Sequence, residues 1–298
     1  MTIITQIQGG LGNQLFQYAA GRALSQAGGE SLILDDRWYG PQEEGVTPRS
    51  LLLGKLCIRG QIQTYPRVLA TPKRLARILQ KCLPLNPYVL KERRGYIFQQ
   101  GLDRIRNYAK QDLYLMGYWQ SFRYFESIRE VLLVEIIPQE PLDSHYQRYR
   151  ELIASTPNAT MVHIRRGDYV HLPAAAQVHG ALDLSYYRKA MALLLQEKPD
   201  AHFFVFSDDI AWAKGNLPMP ERLTFIENLP DEEAVVQELE LMRSCEHHII
   251  ANSSLSWWGA WLGDRAGQLV FCPPRWIADS SLPLGDLLPA KWRRLSGG

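Results

Sequence analysis

From residue 158 onward the chain alternates short apolar runs with amphipathic stretches of helical period. ATMVHI, HFFVFS, LTFIE, HHIIAN and QLVFC have the length and the β-branched and aromatic content of strands. SYYRKAMALLLQ, EEAVVQELELMRS and SLSWWGAWLGD repeat their apolar residues three and four apart, as helices do. Strands that alternate with helices build a parallel sheet covered on both faces, so the C-terminal half is expected to be a doubly wound α/β domain. The N-terminal half opens in the same way: TIITQIQ is a strand, GGLG a turn, NQLFQYAAGRALSQA a helix with Asn13 as its N-cap, and SLILDD a second strand. The pattern weakens through residues 40 to 110, and YLMGYW then returns as a strand.

A chain of 298 residues is long for a single core, which places a boundary near 150 and gives domains 1–150 and 151–298. The start, MTIITQIQGG, lacks the basic and apolar regions of a signal peptide, and no stretch reaches eighteen uninterrupted apolar residues; a cytoplasmic protein is expected. Cys57, Cys82, Cys245 and Cys272 lie far apart without a CxxC pair or zinc spacing, and read as reduced core thiols. The net charge of +2 hides an asymmetry: residues 1–150 carry 20 Lys/Arg against 13 Asp/Glu, and residues 151–298 carry 13 against 18. No nucleic-acid partner is indicated.

In open parallel sheets ligands bind outside the carboxyl ends of the strands, where the informative residues cluster. In HIRRGDYV an apolar strand runs into His163, Arg165, Arg166 and Asp168. Two arginines leaving a strand end suit phosphate oxygens, because the planar guanidinium fork matches them; an internal Arg166–Asp168 brace is the competing reading. In ANSSLSWWGAWL a strand gives way to Asn252, Ser253 and Ser254 at a helix start, where unpaired N–H groups and the dipole favour an anion; N-capping above a Trp-rich packing face is compatible with it. GGLGNQ, with Gly10, Gly12, Asn13 and Gln14, also joins strand to helix, and Asp35 and Asp36 end the next strand where a ribose-binding acid would stand. A dinucleotide fingerprint needs a third small residue at the position of Leu15, so NAD or a flavin is the weaker reading. FSDD sets Asp208 and Asp209 after a strand, more in keeping with helix capping than with a metal, and no metal or cofactor is expected.

Together GGLGNQLFQYAAGRAL, VHIRRGDYV, FSDD and IIANSSLSWWGAWL resemble the motif set of the bacterial α-1,2-fucosyltransferases, in order and spacing over nearly the whole chain. The resemblance implies two Rossmann-like domains facing across a cleft, a GT-B-type architecture. It also implies GDP-β-L-fucose as donor and metal-free inversion to an α-linkage on the 2-hydroxyl of a β-galactoside. The acceptor would be an oligosaccharide or a lipid-linked glycan. It assigns the diphosphate to Arg165, a place near the nucleotide to His163 and loop closure to Asp168. The guanine edge falls to Glu238, sixteen residues before Ser254, where the group more often carries aspartate. Gly10, Gly12, Asn13, Gln14, Arg166, Asp208, Asn252, Ser253 and Ser254, at the turn, strand ends and helix start described above, complete the expected donor side. For the base that takes the acceptor's proton, His179, Asp168, His171 and a water relay are candidates. An NAD-dependent sugar-nucleotide enzyme and a non-catalytic nucleotide-sugar or glycan-binding module are the rival readings. Finally, TPKRLARILQKCL, residues 71–83, reads as a short basic amphipathic helix that would either pack on the N-terminal domain or touch an anionic membrane.

Overall fold

The computed structural model describes residues 1–40, 49–65, 87–93, 95–102, 111–166, 180, 182–277 and 284–295. The chain forms two compact units, Met1–Ile137 with Pro283–Leu288 and Pro138–Leu282 with Pro289–Gly298. The first contains β1 (Thr2–Gln6), α1 (Leu11–Gly28), β2 (Ser31–Asp35), β3 (Gln61–Gln63), β4 (Tyr88–Lys91), β5 (Leu113–Met116) and α2 (Arg129–Glu135). The second contains α3 (Ser144–Ser155), β6 (Ala159–Ile164), α4 (Leu184–Glu197), β7 (His202–Ser207), α5 (Ile210–Asn216), β8 (Leu223–Phe225), α6 (Ala234–Ser244), β9 (His247–Ile249), α7 (Ser254–Leu262), β10 (Val270–Cys272) and β11 (Arg293–Arg294). The division precedes the position near 150 because α3 is fastened to the second unit. Its Tyr146 hydroxyl accepts from Leu229 N at 3.0 Å, and His145 Nε2 lies 2.6 Å from Glu227 O.

The first sheet is five-stranded and parallel, in the order β3-β2-β1-β5-β4. Ile3 and Ile4 of β1 are fully buried between their neighbours. Helix α1 starts at Leu11 with Gly10 as N-cap, so Asn13 lies inside the first turn and is not the cap. Close helix-strand packing, which Leu15 cannot provide, is supplied further along at Gly21: a Cβ there would stand 2.1 Å from Thr5 Oγ1. The YLMGYW run is strand only as far as Met116; Gly117, at φ +152, begins a turn.

The second sheet is six-stranded and parallel, in the order β11-β10-β9-β6-β7-β8. Numbered within this unit the order is that of a Rossmann sheet, and the direction of winding reverses between β6 and β9. Val162, Phe203, Val205 and Ile249 pack with Tyr187, Met191 and Leu194 of α4 into one buried cluster. The Tyr186 hydroxyl, 2.7 Å from Ile250 O and 3.0 Å from Phe271 O, ties the ends of β9 and β10 together. Gly259 lets α7 approach α6, since a Cβ there would meet Met242 Cβ at 2.7 Å. Trp257 and Trp258 are fully buried, and Trp257 packs on Trp292 with ring centroids 5.5 Å apart. Cys245 and Cys272 are core thiols as expected, whereas Cys57 is exposed.

Candidate functional site

The reversal of winding in the second sheet brings the ends of β6, β7 and β9 side by side, and the polar residues of three motifs leave the sheet there. Arg165 follows β6 directly and its Nη1 lies 3.0 Å from Asp208 Oδ2, just past the end of β7. The other oxygen of Asp208 accepts the Arg166 backbone N–H at 2.8 Å, so one carboxylate fixes both the guanidinium and the chain that carries it. Asp208 therefore positions the arginine. Arg165 remains about a quarter exposed, with 26% of its side chain accessible, which leaves it reachable from solvent.

Arg166 does not join it. Its guanidinium lies 3.8 Å from the centre of the Trp212 ring and its Nε is 3.5 Å from Asp209. Asp209 also caps α5, accepting from Trp212 N at 3.0 Å. Arg166 is thus a loop brace, held by Asp209 and Trp212. Trp212 carries no motif in the sequence; an aromatic three residues after a helix-capping acid is its signal.

After β9, Asn252 is buried, and its amide donates to Gly180 O at 3.1 Å and Trp276 O at 3.4 Å. Its amide nitrogen ties these loops together. Ser253 is the N-cap of α7, yet its side chain makes no capping hydrogen bond, contrary to the expected capping role. Ser253 and Ser254 are half-buried, so the first N–H groups of α7 and two hydroxyls border the same strand ends as Arg165.

Two buried titratable groups complete this end of the sheet. His163, at 5% exposure, is held neutral, its pKa pushed down to about 3 by burial and then by the Arg165 charge. Among the described residues its Nδ1 has no hydrogen-bond partner. Glu238, on α6 and 8% exposed, has its pKa pushed up to about 7 by burial; Arg165 pulls it down and Asp208 pushes it up. No hydrogen-bond donor reaches its carboxylate among the described residues. A buried carboxylate without donors is costly unless a ligand supplies them.

The first unit treats its own motif differently. Gln14 is fully buried and spent, with Nε2 donating to Gly9 O at 3.0 Å and Ser50 O at 2.8 Å while Oε1 accepts from Leu52 N at 2.9 Å. It is a loop brace and no longer a donor contact. Gly10 and Gly12 belong to the start of α1, and a Cβ at Gly10 would meet nothing within 4 Å. Asp35 is fully buried, paired with Arg37 at 2.6 Å and accepting from the Tyr114 hydroxyl at 2.6 Å and from Tyr65 N at 2.9 Å. An acid so engaged has no capacity left for a ribose diol, which removes Asp35 from the NAD reading. Asp168, His171, His179, Cys82 and the basic stretch 71–83 lie outside the described residues. Among the described residues no helix is long and apolar enough to cross a membrane.

The model of glycosyl transferase family 11 matches residues 74–282. The chain belongs to that family. An alpha-1,2-colitosyltransferase of Escherichia coli is 33% identical to this family 11 chain over 98% of both proteins. Galactoside 2-alpha-L-fucosyltransferase SEC1 of Bos taurus is 23% identical, covering 61% of this chain and 48% of its own length. Among solved structures, the fucosyltransferase NodZ from Bradyrhizobium aligns with a TM-score of 0.44 and 15% identity, over 87% of this chain and 92% of its own.

Proposed function

We propose that this family 11 glycosyltransferase moves L-fucose from GDP-β-L-fucose to the 2-hydroxyl of a β-galactoside with inversion, giving an α-1,2 linkage. In this reading the second unit holds the donor and the first the acceptor. The reading is carried by the Arg165–Asp208 pair, which stands at the winding reversal of the Rossmann-like sheet, where the start of α7 has no side-chain cap. Glu238 on α6 supports it, because its buried carboxylate accepts no hydrogen bond among the described residues and guanine offers N1–H and N2–H donors that a carboxylate accepts together.

The acceptor oxygen attacks C1 of fucose from the face opposite GDP. The bond from C1 to the phosphate oxygen breaks with its electrons left on that oxygen, and the hydroxyl proton passes to a base. Negative charge accumulates on the β-phosphate as the bond lengthens, so donors aimed there stabilise the transition state more than the ground state. Arg165 supplies a guanidinium held in place by Asp208; Ser253 and Ser254 supply helix N–H groups and hydroxyls. A charge-assisted hydrogen bond contributes about 1.5–3 kcal/mol, so two that tighten together account for roughly 10²- to 10⁴-fold in rate. The carboxylates of Asp208 and Asp209 are engaged by arginines, so the developing charge is met by cationic side chains without a metal. Asp168 and His179 remain the candidates for the base, and residues 71–83 for a contact with an anionic membrane that carries the acceptor.

The relatives' names differ in the sugar transferred, so the assay offers both donors. Purified protein is given GDP-fucose or GDP-colitose with an array of β-galactosides. Transfer from GDP-fucose with the higher kcat/KM is expected. Preference for GDP-colitose would replace the donor sugar while keeping the site; transfer from neither would overturn the proposal.

A further inference from the structure

The first sheet has its own reversal of winding, between β1 and β5, and the donor reading does not use it. Two side chains meet across it: Gln120 Nε2 donates to Asn13 Oδ1 at 2.8 Å. Among the described residues this bond leaves the Asn13 amide N–H₂ and the Gln120 carbonyl oxygen without partners, and the opposite choice of amide orientations leaves the same pair of functions. Both side chains are half-buried. Asn13 is held down on Gly9, where φ is +78 and a Cβ would stand 2.9 Å from Asn13 Nδ2.

An aromatic wall stands beside the amides. Tyr39 is anchored through its hydroxyl to Gly9 O at 2.8 Å and packs edge-on to Trp38, with centroids 5.0 Å apart. Tyr118 is 44% exposed, large for an aromatic side chain, and near enough to Tyr39 to affect its phenol. The backbone is shaped to present it. Tyr118 N donates to Glu92 Oε2 at 2.6 Å, and the Trp119 and Gln120 amides face the same carboxylate. Trp119 has φ +56, a conformation that is strained for a bulky side chain and that persists only where the surroundings enforce it.

We propose that Asn13, Gln120 and the exposed face of Tyr118 form the acceptor subsite, in which the amide pair holds a vicinal diol of the galactoside and Tyr118 stacks on the sugar's apolar face. A hydroxyl both donates and accepts, so two neighbouring hydroxyls match one N–H donor and one carbonyl acceptor side by side. In β-galactosides the 3- and 4-hydroxyls are such a pair and leave the 2-hydroxyl to react. The assignment rests on the galactoside reading above, and it gives Asn13 a role toward the acceptor in place of the donor.

Saturation-transfer NMR with methyl β-D-galactoside and GDP, on the whole chain, reads binding without turnover. Strong saturation transfer from the wild-type protein to the galactoside is expected, reduced at least tenfold in Gln120→Ala and Tyr118→Ala, while calorimetric affinity for GDP changes less than twofold. In kinetics both substitutions should raise acceptor KM about tenfold or more, and a 3-deoxygalactoside should lose its disadvantage in Gln120→Ala. Tyr118→Phe should behave as wild type, which separates stacking from a folding defect. Unchanged galactoside saturation in both alanine variants would overturn the subsite even if fucosyl transfer is established. Galactoside binding without transfer would keep the subsite and overturn the fucosyl reading instead.

Discussion

If Glu238 reads the guanine edge as proposed, its raised pKa makes donor binding depend on pH. Burial raises its pKa from 4.5 to about 7, so the free protein holds a proton on this carboxyl that an unfolded chain has already lost. Only the carboxylate can accept both guanine donors. GDP-fucose must therefore displace that proton at low pH, and its apparent affinity falls by a factor of about 1 + 10^(7−pH), roughly elevenfold at pH 6 and close to 1 at pH 8. GDP-fucose is the proper probe, because GDP has a terminal phosphate that itself titrates near neutrality. Isothermal titration calorimetry at pH 6 and 8, in buffers of different ionisation enthalpy, should show about tenfold tighter binding at pH 8 and release of close to one proton at pH 6. Glu238→Gln should bind weakly at both pH values without the slope. Affinity independent of pH, or a Gln variant that keeps the slope, would refute the assignment. Stability moves the other way: with the folded pKa above the unfolded one, the unliganded protein should lose stability as pH rises from about 4.5 to 7 and level off beyond.

Other consequences follow from the same geometry. Arg165→Ala should lower kcat by roughly 10²- to 10⁴-fold with little change in melting temperature, and Lys should rescue poorly because a point charge cannot reproduce the fork; near-normal kcat in the folded Ala variant would remove Arg165 from the chemistry. Activity should survive excess EDTA, since arginines engage both Asp208 and Asp209; loss with chelator and return with Mg²⁺ or Mn²⁺ would reinstate them as ligands. Gly21→Ala should destabilise by about 1–3 kcal/mol through its collision with Thr5, while Gly10→Ala, with open space around it but at the N-cap of α1, should cost less, at most about 1 kcal/mol. Equal denaturant midpoints for the two variants would contradict the packing of α1 on β1.

Most of the second unit is legible in the sequence because its strands are buried on both faces and so read as unbroken apolar runs, as ATMVHI and HFFVFS do. The first unit hides β3 and β4, whose QIQ and YVLK have exposed positions and no periodic signal. Strand β11 consists of two exposed arginines, and only its pairing with β10 makes it a strand. The return of Pro283–Leu288 to the first unit depends on contacts remote in sequence, such as Asp286 Oδ2 accepting from Phe98 N at 2.7 Å. At the site, residue types and spacing single out Arg165, the start of α7 and Glu238, and the fold brings them to one end of the second sheet. Types and spacing do not show which polar groups the fold has already engaged. Gln14, Arg166, Asn252 and Asp208 look like ligands in the sequence because a brace and a ligand demand the same chemistry. Tyr118 and Gln120 carry no motif at all, and only the pairing of β5 with β1 brings them beside Asn13.

The central claim, inverting fucosyl transfer to a galactoside 2-hydroxyl, is tested most directly by following the reaction of GDP-β-L-fucose with methyl β-D-galactoside by proton NMR. The account predicts a new α-anomeric fucose signal whose through-space contact is to H2 of galactose, absent with Arg165→Ala. A β-linked product, a linkage to another hydroxyl, or release of free fucose alone would contradict it.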